Sequence, residues 1–252
     1  ADLPQQTACH DCEVGKYQDL AAQSACQSCA PGYVATQTGM INCLACPAGT
    51  YEQSSTQCVD CLAGTYQSAP ASTACLNCPA GKFTFALGQI SCVDCSPGLY
   101  SATEGAISCT PCPAGQYAPT PGLTECLACS AGKYSPTTGA FSCMDCMLGR
   151  YQPSEGATAC VPCASGTYSG AMGQTICVDC EKGKYATSTG LSACIDCDTG
   201  YYSDTAKASA CSQCPGGTYQ NQRGQSSCLA CSAGRYTDLV ASVQCLNCIH
   251  GY

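Results

Sequence analysis

The chain has 252 residues, 30 of them cysteine, and a formal net charge of −8. Leu, Ile, Val and Phe together contribute only 31 residues, far below the share that a globular domain uses for its apolar core. The cysteine content is above the level typical of small secreted folds held together by disulfides. The composition therefore excludes an ordinary globular core, and the negative charge argues against a nucleic acid partner.

The sequence also restricts where the chain is located. No apolar run approaches the roughly 18 residues of a membrane span, and the residues after Ala1 lack the charged and apolar parts of a signal peptide. Cysteine at this density is stable as disulfides only in an oxidising compartment. We therefore predict a secreted or cell-surface protein without a membrane span in this segment.

A CxxC pair recurs fifteen times, at a period of 17 residues with a single step of 15 between Cys43 and Cys58. A glycine follows each pair by three residues, and an aromatic residue stands two residues beyond that glycine in thirteen repeats. Such self-similarity is typical of arrays of stacked small units. We predict one continuous array over residues 1–252, with about fifteen CxxC-x-x-G-x-Y repeats and partial repeats at 1–8 and 249–252.

Each repeat also predicts its own local structure. A second glycine usually follows ten residues after the pair and is replaced by Ala22, Ala71, Lys207 or Ala241 in four repeats. Segments between Gly and Pro are too short to nucleate a helix, so two very short strands joined by a polar turn are expected. The fold class is small and disulfide-rich, with mostly irregular chain and short β-hairpins in an elongated solenoid-like rod. We expect one tyrosine and one aliphatic residue per repeat to be buried, the aliphatic lying between the cysteines of the pair.

Three disulfide patterns are compatible with a repeating array. In the first, the second cysteine of one pair bonds to the first cysteine of the next and closes a loop of about 15 residues, contributing about 3 kcal/mol. The second joins like cysteines of neighbouring repeats, and the third closes each CxxC on itself, which is a ring more typical of redox centres. The first pattern leaves Cys9 and Cys248 as a candidate junction between subunits and pairs the following residues: Cys12 with Cys26, Cys29 with Cys43, Cys46 with Cys58, Cys61 with Cys75, Cys78 with Cys92, Cys95 with Cys109, Cys112 with Cys126, Cys129 with Cys143, Cys146 with Cys160, Cys163 with Cys177, Cys180 with Cys194, Cys197 with Cys211, Cys214 with Cys228, and Cys231 with Cys245.

The string C-x-x-C-P-A-G-x-Y, present around Cys46, Cys78 and Cys112, resembles the ephrin-receptor-like cysteine-rich repeat and, more distantly, the modules of tumour-necrosis-factor receptors. The resemblance covers essentially the whole chain. It implies an extracellular disulfide-bonded fold, and in the receptor modules the cysteine before P-x-G-x-Y bonds to the next cysteine after the turn. That pairing agrees with the first pattern. CxxC-rich surface antigens of protozoan parasites are a looser likeness.

The sequence gives little support for metal binding or for catalysis. Two CxxC pairs about 13 residues apart have zinc-ribbon spacing, but fifteen pairs do not group into four-cysteine sites. Asp residues recur before the second cysteine, yet single carboxylates this far apart are more typical of a solvated stripe than of a calcium site. The two histidines, His10 and His250, form no set with a serine and a carboxylate. We predict no cofactor and no enzymatic activity.

The exposed turns and the tyrosine column are the remaining candidate sites. Ser, Thr and Pro cluster just past the aromatic residue, which suits O-linked glycans, and the candidate positions are Ser135, Thr137, Thr138 and Thr120. The tyrosine column is read first as packing over the disulfides, with carbohydrate or another extracellular protein as a candidate partner. Residues 1–8 and 249–252 would nearly complete one repeat. From these partial repeats we expect one of two arrangements. Either the chains associate head to tail, with Cys248 bonded to Cys9 of the next subunit, or the sequence is a segment of a longer polypeptide.

These observations predict an extracellular structural repeat protein that forms a disulfide-linked rod or a head-to-tail filament for spacing, coating or adhesion. The alternative is the stalk or ligand-binding ectodomain of a cell-surface receptor or surface antigen. A receptor should contain repeats that depart from the common pattern to build a binding site. Only the shortened repeat between Cys46 and Cys58 and the displaced Tyr33 do so.

Overall fold

The computed structural model describes residues 11–20 and 25–248. Within these ranges the secondary structure is entirely short β-strand and turn, without a helix, as the frequency of Gly and Pro predicts. The 28 strands, in chain order, are β1 Lys16–Tyr17, β2 Gln27–Ser28, β3 Tyr33–Val34, β4 Leu44–Ala45, β5 Thr50–Ser54, β6 Gln57–Asp60, β7 Thr65–Tyr66, β8 Leu76–Asn77, β9 Lys82–Phe83, β10 Val93–Asp94, β11 Leu99–Tyr100, β12 Thr110–Pro111, β13 Gln116–Tyr117, β14 Leu127–Ala128, β15 Lys133–Tyr134, β16 Met144–Asp145, β17 Arg150–Tyr151, β18 Val161–Pro162, β19 Thr167–Tyr168, β20 Val178–Asp179, β21 Lys184–Tyr185, β22 Ile195–Asp196, β23 Tyr201–Tyr202, β24 Ser212–Gln213, β25 Thr218–Tyr219, β26 Leu229–Ala230, β27 Arg235–Tyr236 and β28 Leu246–Asn247.

Consecutive strands pair as fourteen antiparallel two-stranded hairpins, one for each of the first fourteen repeats. It is convenient to number a repeat from the second cysteine of a CxxC pair. Cys112 is then position 1, Gly115 position 4 and Tyr117 position 6, and the repeat ends at position 17. In this repeat Tyr117 lies opposite Leu127 at position 16. The disulfide-rich hairpin array predicted from the sequence is confirmed.

Fourteen disulfides connect position 1 to position 15 across the hairpins, with Cα–Cα distances of 5.6 to 5.8 Å. Thirteen of them join cysteines 14 residues apart, and the bond between Cys46 and Cys58 spans 12 residues. All fourteen pairs belong to the first pattern, from Cys12–Cys26 to Cys231–Cys245. These 28 thiols are therefore not available as zinc ligands.

The repeats are linked to each other by main-chain hydrogen bonds that recur with the same period. The position 4 amide donates to the position 7 carbonyl of the next repeat, as Gly115 N does to Ser135 O at 2.8 Å. The position 11 amide donates to the position 1 carbonyl of the preceding repeat, as Gly156 N does to Cys129 O at 2.7 Å. Each hairpin therefore satisfies backbone groups of its neighbour that a two-residue strand leaves unpaired.

The position 4 glycine also lets a hairpin pack closely against the repeat that lies two repeats further along the chain. Gly115 has φ +84°, and a Cβ built there would lie 2.1 Å from the carbonyl oxygen of Gly156, two repeats further along. Nine other repeats show the same approach, at 2.0 to 2.3 Å. The structure thus explains the glycine at position 4 of these ten repeats, since only glycine combines this backbone angle with so close an approach of another backbone.

The turn at position 11 is less demanding. Ala71, Lys207 and Ala241 adopt the same left-handed conformation as the glycines, with φ of 55°, 63° and 55°. The fourth replacement, Ala22, lies outside the described residues. A Cβ built at the position 11 glycines lies 3.1 Å or more from its nearest neighbour, which is usually an aspartate side chain rather than backbone, so a side chain fits there. The left-handed conformation still costs a non-glycine residue free energy.

The chain divides into two compact units. The first comprises residues 1–112 and 118–126, and the second comprises 113–117 and 127–252. Strands β1 to β12 lie in the first unit, and β13 to β28 lie in the second.

The two irregular repeats keep the hairpin but change its form. The shortened repeat forms the longest hairpin, β5 with β6, with an irregularity between Glu52 and Ser54. In the repeat with the displaced aromatic residue, Val34 takes the usual tyrosine position opposite Leu44 and is buried.

Candidate functional site

The buried residues of the array are not the ones that the pattern of large side chains predicted. Twelve of the position 1 cysteines are almost fully buried, and so are twelve of the residues at position 7, directly after the aromatic position, where Ala, Ser, Thr or Gln stands. Position 7 is covered because its carbonyl accepts the hydrogen bond from the preceding hairpin, as at Ser135 and Gln152. Sequence reasoning missed this column because its residues are small or polar.

The aliphatic residues at position 16 are exposed, which corrects the prediction that they are buried. Ten of its eleven members are between 43% and 60% exposed, so the prediction that one aliphatic side chain per repeat is buried was wrong. Each strand has only two residues, and position 16 lies beside the half-exposed tyrosine on the outer face of the hairpin. The exposed members are Leu44, Leu76, Val93, Leu127, Met144, Val161, Val178, Ile195, Leu229 and Leu246.

Most of the polar side chains at position 7 are hydrogen-bonded. Gln152 donates from Nε2 to the carbonyl of Ala159 at 2.8 Å and accepts from the Ser154 amide at 3.1 Å. Ser135 donates to the carbonyl of Thr137 at 3.2 Å. In the described part of the chain no buried side-chain nitrogen or oxygen lacks a hydrogen-bond partner. Position 7 therefore fixes the turn that follows it and provides no free reactive group.

The tyrosine column lines a series of clefts between neighbouring hairpins. One cleft, of about 240 Å³, lies between Tyr117 of one repeat and Lys133 and the disulfide cysteine Cys143 of the next. Equivalent clefts of about 190 and 280 Å³ lie between Tyr168 and Lys184 and between Tyr219 and Arg235. A fourth, of about 290 Å³, joins Tyr185 to Tyr201. We refer to these as the inter-hairpin clefts.

Three of the inter-hairpin clefts are related by a longer period. Their tyrosines are 51 residues apart, which is three repeats, and a basic residue stands at position 5 of the following repeat each time. The basic residues are Lys133, Lys184 and Arg235, and Lys82 lies one such period earlier. Lys16 and Arg150 also stand at position 5 but lie outside this series, so the 51-residue spacing relates these three clefts and is not a period of all basic residues at position 5; it was not part of the prediction.

Cross-strand ion pairs accompany the lysines of this period. Lys133 and Asp145 lie opposite each other in β15 and β16, with Nζ and Oδ1 2.5 Å apart, and Lys184 and Asp196 are 3.5 Å apart. Both pairs are about half-exposed, so each contributes at most about 1 kcal/mol to stability. Arg235 faces Asn247 instead, and its guanidinium has no hydrogen-bond or ion-pair partner among the described residues.

The predicted glycosylation positions divide into two groups. Ser135 is 2% exposed and its hydroxyl is hydrogen-bonded, so we expect no glycan on it in the folded chain. Thr137, Thr138 and Thr120 are exposed on the turns, and O-glycosylation there remains a prediction.

The predicted junction is only partly described. Cys248 is exposed and is not in a disulfide, whereas Cys9, His10 and His250 lie outside the described residues, as do the partial repeats at 1–8 and 249–252. Within residues 11–20 and 25–248, no group of three or more His, Cys, Asp or Glu side chains is arranged to bind a metal ion.

Among the described turns, two have three exposed apolar side chains each, and in the one after β27 these are Leu239, Val240 and Val243, 47% to 68% exposed. Phe85, Leu87 and Ile90 are 57% to 79% exposed in the turn after β9, where most repeats have Ser, Thr or Pro. Phe85 stacks on Phe83, with ring centroids 6.5 Å apart. An exposed apolar patch of this kind is more typical of an interaction surface than of a solvated turn. The sequence signal was the run F-T-F-A-L-G-Q-I, which alignment to neighbouring repeats would have revealed.

The hairpins, their fourteen disulfides and the absence of a conventional core define a disulfide-bonded extracellular repeat module. The family model for tyrosine-protein kinase ephrin type A/B receptor-like repeats matches residues 4–42, 49–88, 81–124, 115–159, 132–169, 183–218 and 200–248. These matches cover most of the chain, which therefore belongs to the ephrin-receptor-like cysteine-rich repeat family. A search of curated proteins gave no match.

The family and the disulfides together indicate an extracellular location, because disulfides in this number persist only under oxidising conditions. The family is a structural or binding module rather than a catalytic one. No described helix has the length and apolarity needed to cross a membrane.

Proposed function

We propose that the chain is an extracellular structural repeat segment, without enzymatic activity, that provides spacing, coating or adhesion and associates head to tail. The observation that supports this most directly is the repeated connection between hairpins. Each one is closed by its own disulfide and is hydrogen-bonded to the next, and its position 4 glycine approaches the next but one. Force applied along such an array is shared by covalent cross-links and many equivalent backbone contacts.

Head-to-tail association is supported by the repeated use of one set of donors and acceptors. A hairpin that stacks on its neighbour uses groups that every other hairpin also has, so one more repeat can be added with the same contacts.

Electron microscopy of native material, combined with non-reducing electrophoresis, tests this proposal. We expect filaments, and a ladder of covalent oligomers if Cys248 bonds to Cys9 of the next subunit. Labelling with iodoacetamide before denaturation provides the control, because the exposed Cys248 thiol reacts only when that bond is absent. Isolated short particles with two reactive thiols per chain contradict the filament.

The alternative function is the stalk or ligand-binding ectodomain of a cell-surface receptor or surface antigen. The apolar turn with Phe85, Leu87 and Ile90 favours it, because it is the kind of local departure from the repeat that a binding site requires. Fractionation of the native source distinguishes the two functions. A receptor ectodomain is recovered with membranes as individual molecules released by detergent, whereas a structural filament sediments without detergent.

A further inference from the structure

The residues that line the inter-hairpin clefts combine an aromatic wall with a polar rim, which is a combination suited to binding a ligand. Each has a tyrosine ring on one wall and the disulfide cysteine of the next repeat on the other. A polar residue from position 2 of the next repeat completes the rim, namely Ser130, Glu181 or Ser232. We propose that the clefts at Tyr117, Tyr168 and Tyr219 are three equivalent binding sites for the rings of an uncharged saccharide chain.

The size of each cleft suits one small ring. Their volumes of about 190 to 280 Å³ lie below the range of about 300–1,000 Å³ in which proteins enclose drug-sized molecules. The tyrosines are half-exposed, so a ring can reach the aromatic face from solvent. A flat ligand with C–H groups on one face packs on that aromatic face and buries apolar area.

The rim supplies hydrogen bonds in both directions, as hydroxyl groups require. In the first cleft the Lys133 ammonium donates, while the Ser130 and Ser142 hydroxyls both donate and accept. In the second, Lys184 donates and the Glu181 carboxylate accepts. Sugar hydroxyls are donors and acceptors at once, so a mixed rim recognises them better than it recognises a purely anionic or purely apolar group.

The charge of the molecule argues against a polyanion in these clefts. In two of the three clefts Lys133 and Lys184 are already paired with Asp145 and Asp196, so an anionic ligand there would lie beside an aspartate and would compete with it for the cation, whereas Arg235 in the third cleft faces Asn247. The chain also has a net charge of −8, which repels a polyanion at long range. An uncharged polysaccharide is subject to neither effect.

The 51-residue spacing of the three clefts suits a polymeric ligand. A chain of identical sugar rings offers the same group repeatedly, so binding at one cleft raises the effective concentration at the others. Each cleft alone is shallow and should bind weakly. The array as a whole then binds a long saccharide much more tightly than it binds a short one.

Titration calorimetry of the intact oxidised chain against cellohexaose, xylohexaose and mannohexaose tests the proposal, with a heparin hexasaccharide as the anionic probe. The test variant carries Lys133→Met, Lys184→Met and Arg235→Met. The control variant carries Arg150→Met, Lys182→Met and Lys207→Met, which removes the same charge from residues that line none of the three clefts. Arg150 is a close match because it also stands at position 5, but its guanidinium donates to the carbonyl of Cys160.

We expect at least one neutral hexasaccharide to bind to the unmodified chain and to the control variant with similar affinity. The test variant should bind it at least about tenfold more weakly, since each cleft loses a hydrogen-bond donor. Saturation transfer by nuclear magnetic resonance should reach the sugar ring protons from tyrosine. The proposal is overturned if no neutral probe binds, if only the heparin probe binds, or if the test and control variants bind equally.

Discussion

Replacement of Gly115 by alanine tests the contact between a hairpin and the next repeat but one. An alanine there would keep φ near +84° and place its Cβ 2.1 Å from the Gly156 carbonyl oxygen. Ordinary van der Waals contact begins at 3.4 Å, so the two backbones must separate by more than 1 Å. That movement stretches the hydrogen bonds from Gly115 N to Ser135 O and from Gly156 N to Cys129 O.

Two costs contribute to the expected loss of stability. The left-handed conformation costs an alanine about 1–2 kcal/mol. The two stretched hydrogen bonds are worth about 0.5–1.5 kcal/mol each, which gives a local destabilisation of about 2–5 kcal/mol in total. Gly217→Ala is the matched control, because Gly217 has the same position and a φ of +81° but no described atom near its Cβ. It should incur only the first cost.

Native-state hydrogen exchange can report the local stability of both variants at the altered residue itself. The amide of residue 115 is protected by its hydrogen bond to Ser135 O, and the amide of residue 217 by its hydrogen bond to Thr237 O. We expect the protection of residue 115 to fall about 10- to 100-fold further than that of residue 217, at about 1.4 kcal/mol for each factor of ten. Equal losses in the two variants would refute the argument that the close backbone approach requires glycine.

Three further predictions concern single repeats. Ala241→Gly should stabilise its repeat by about 0.5–1 kcal/mol, because φ is 55° there; a lower melting temperature contradicts this. Replacing both Cys112 and Cys126 by serine should cost about 3 kcal/mol through the loss of a constraint on 14 residues, as measured by chemical denaturation against the parent chain. Glycopeptide mapping should find O-glycans at exposed Thr137 and none at buried Ser135, and a glycan on Ser135 contradicts its burial.

The sequence by itself determined the repeat and its local form. The 17-residue CxxC period predicted an array of hairpins, and the symmetry argument limited the disulfides to three patterns. Frequent Gly and Pro excluded helices. These inferences succeed because they depend on local chain geometry and on spacing, both of which can be read directly from the order of residues.

The burial of side chains was decided by the tertiary structure. The size of the residues indicated that tyrosine and the position 16 aliphatics would be buried, yet Leu127 and Met144 are exposed while Ala118 and Ser135 are covered. A two-residue strand buries little by itself, so burial depends on where the next hairpin lies. That placement is set by hydrogen bonds between repeats, which spacing alone does not specify.

Tertiary structure also supplied a reason for the glycine that follows the CxxC pair in ten of the repeats. The sequence showed that position 4 is always glycine, and a left-handed turn would have been a sufficient explanation. Position 11 has that same backbone conformation and nevertheless accepts Ala71, Lys207 and Ala241. The difference is that a Cβ at position 4 would meet a carbonyl oxygen from two repeats away at 2.0 to 2.3 Å, and a contact over that sequence distance exists only once the array has folded.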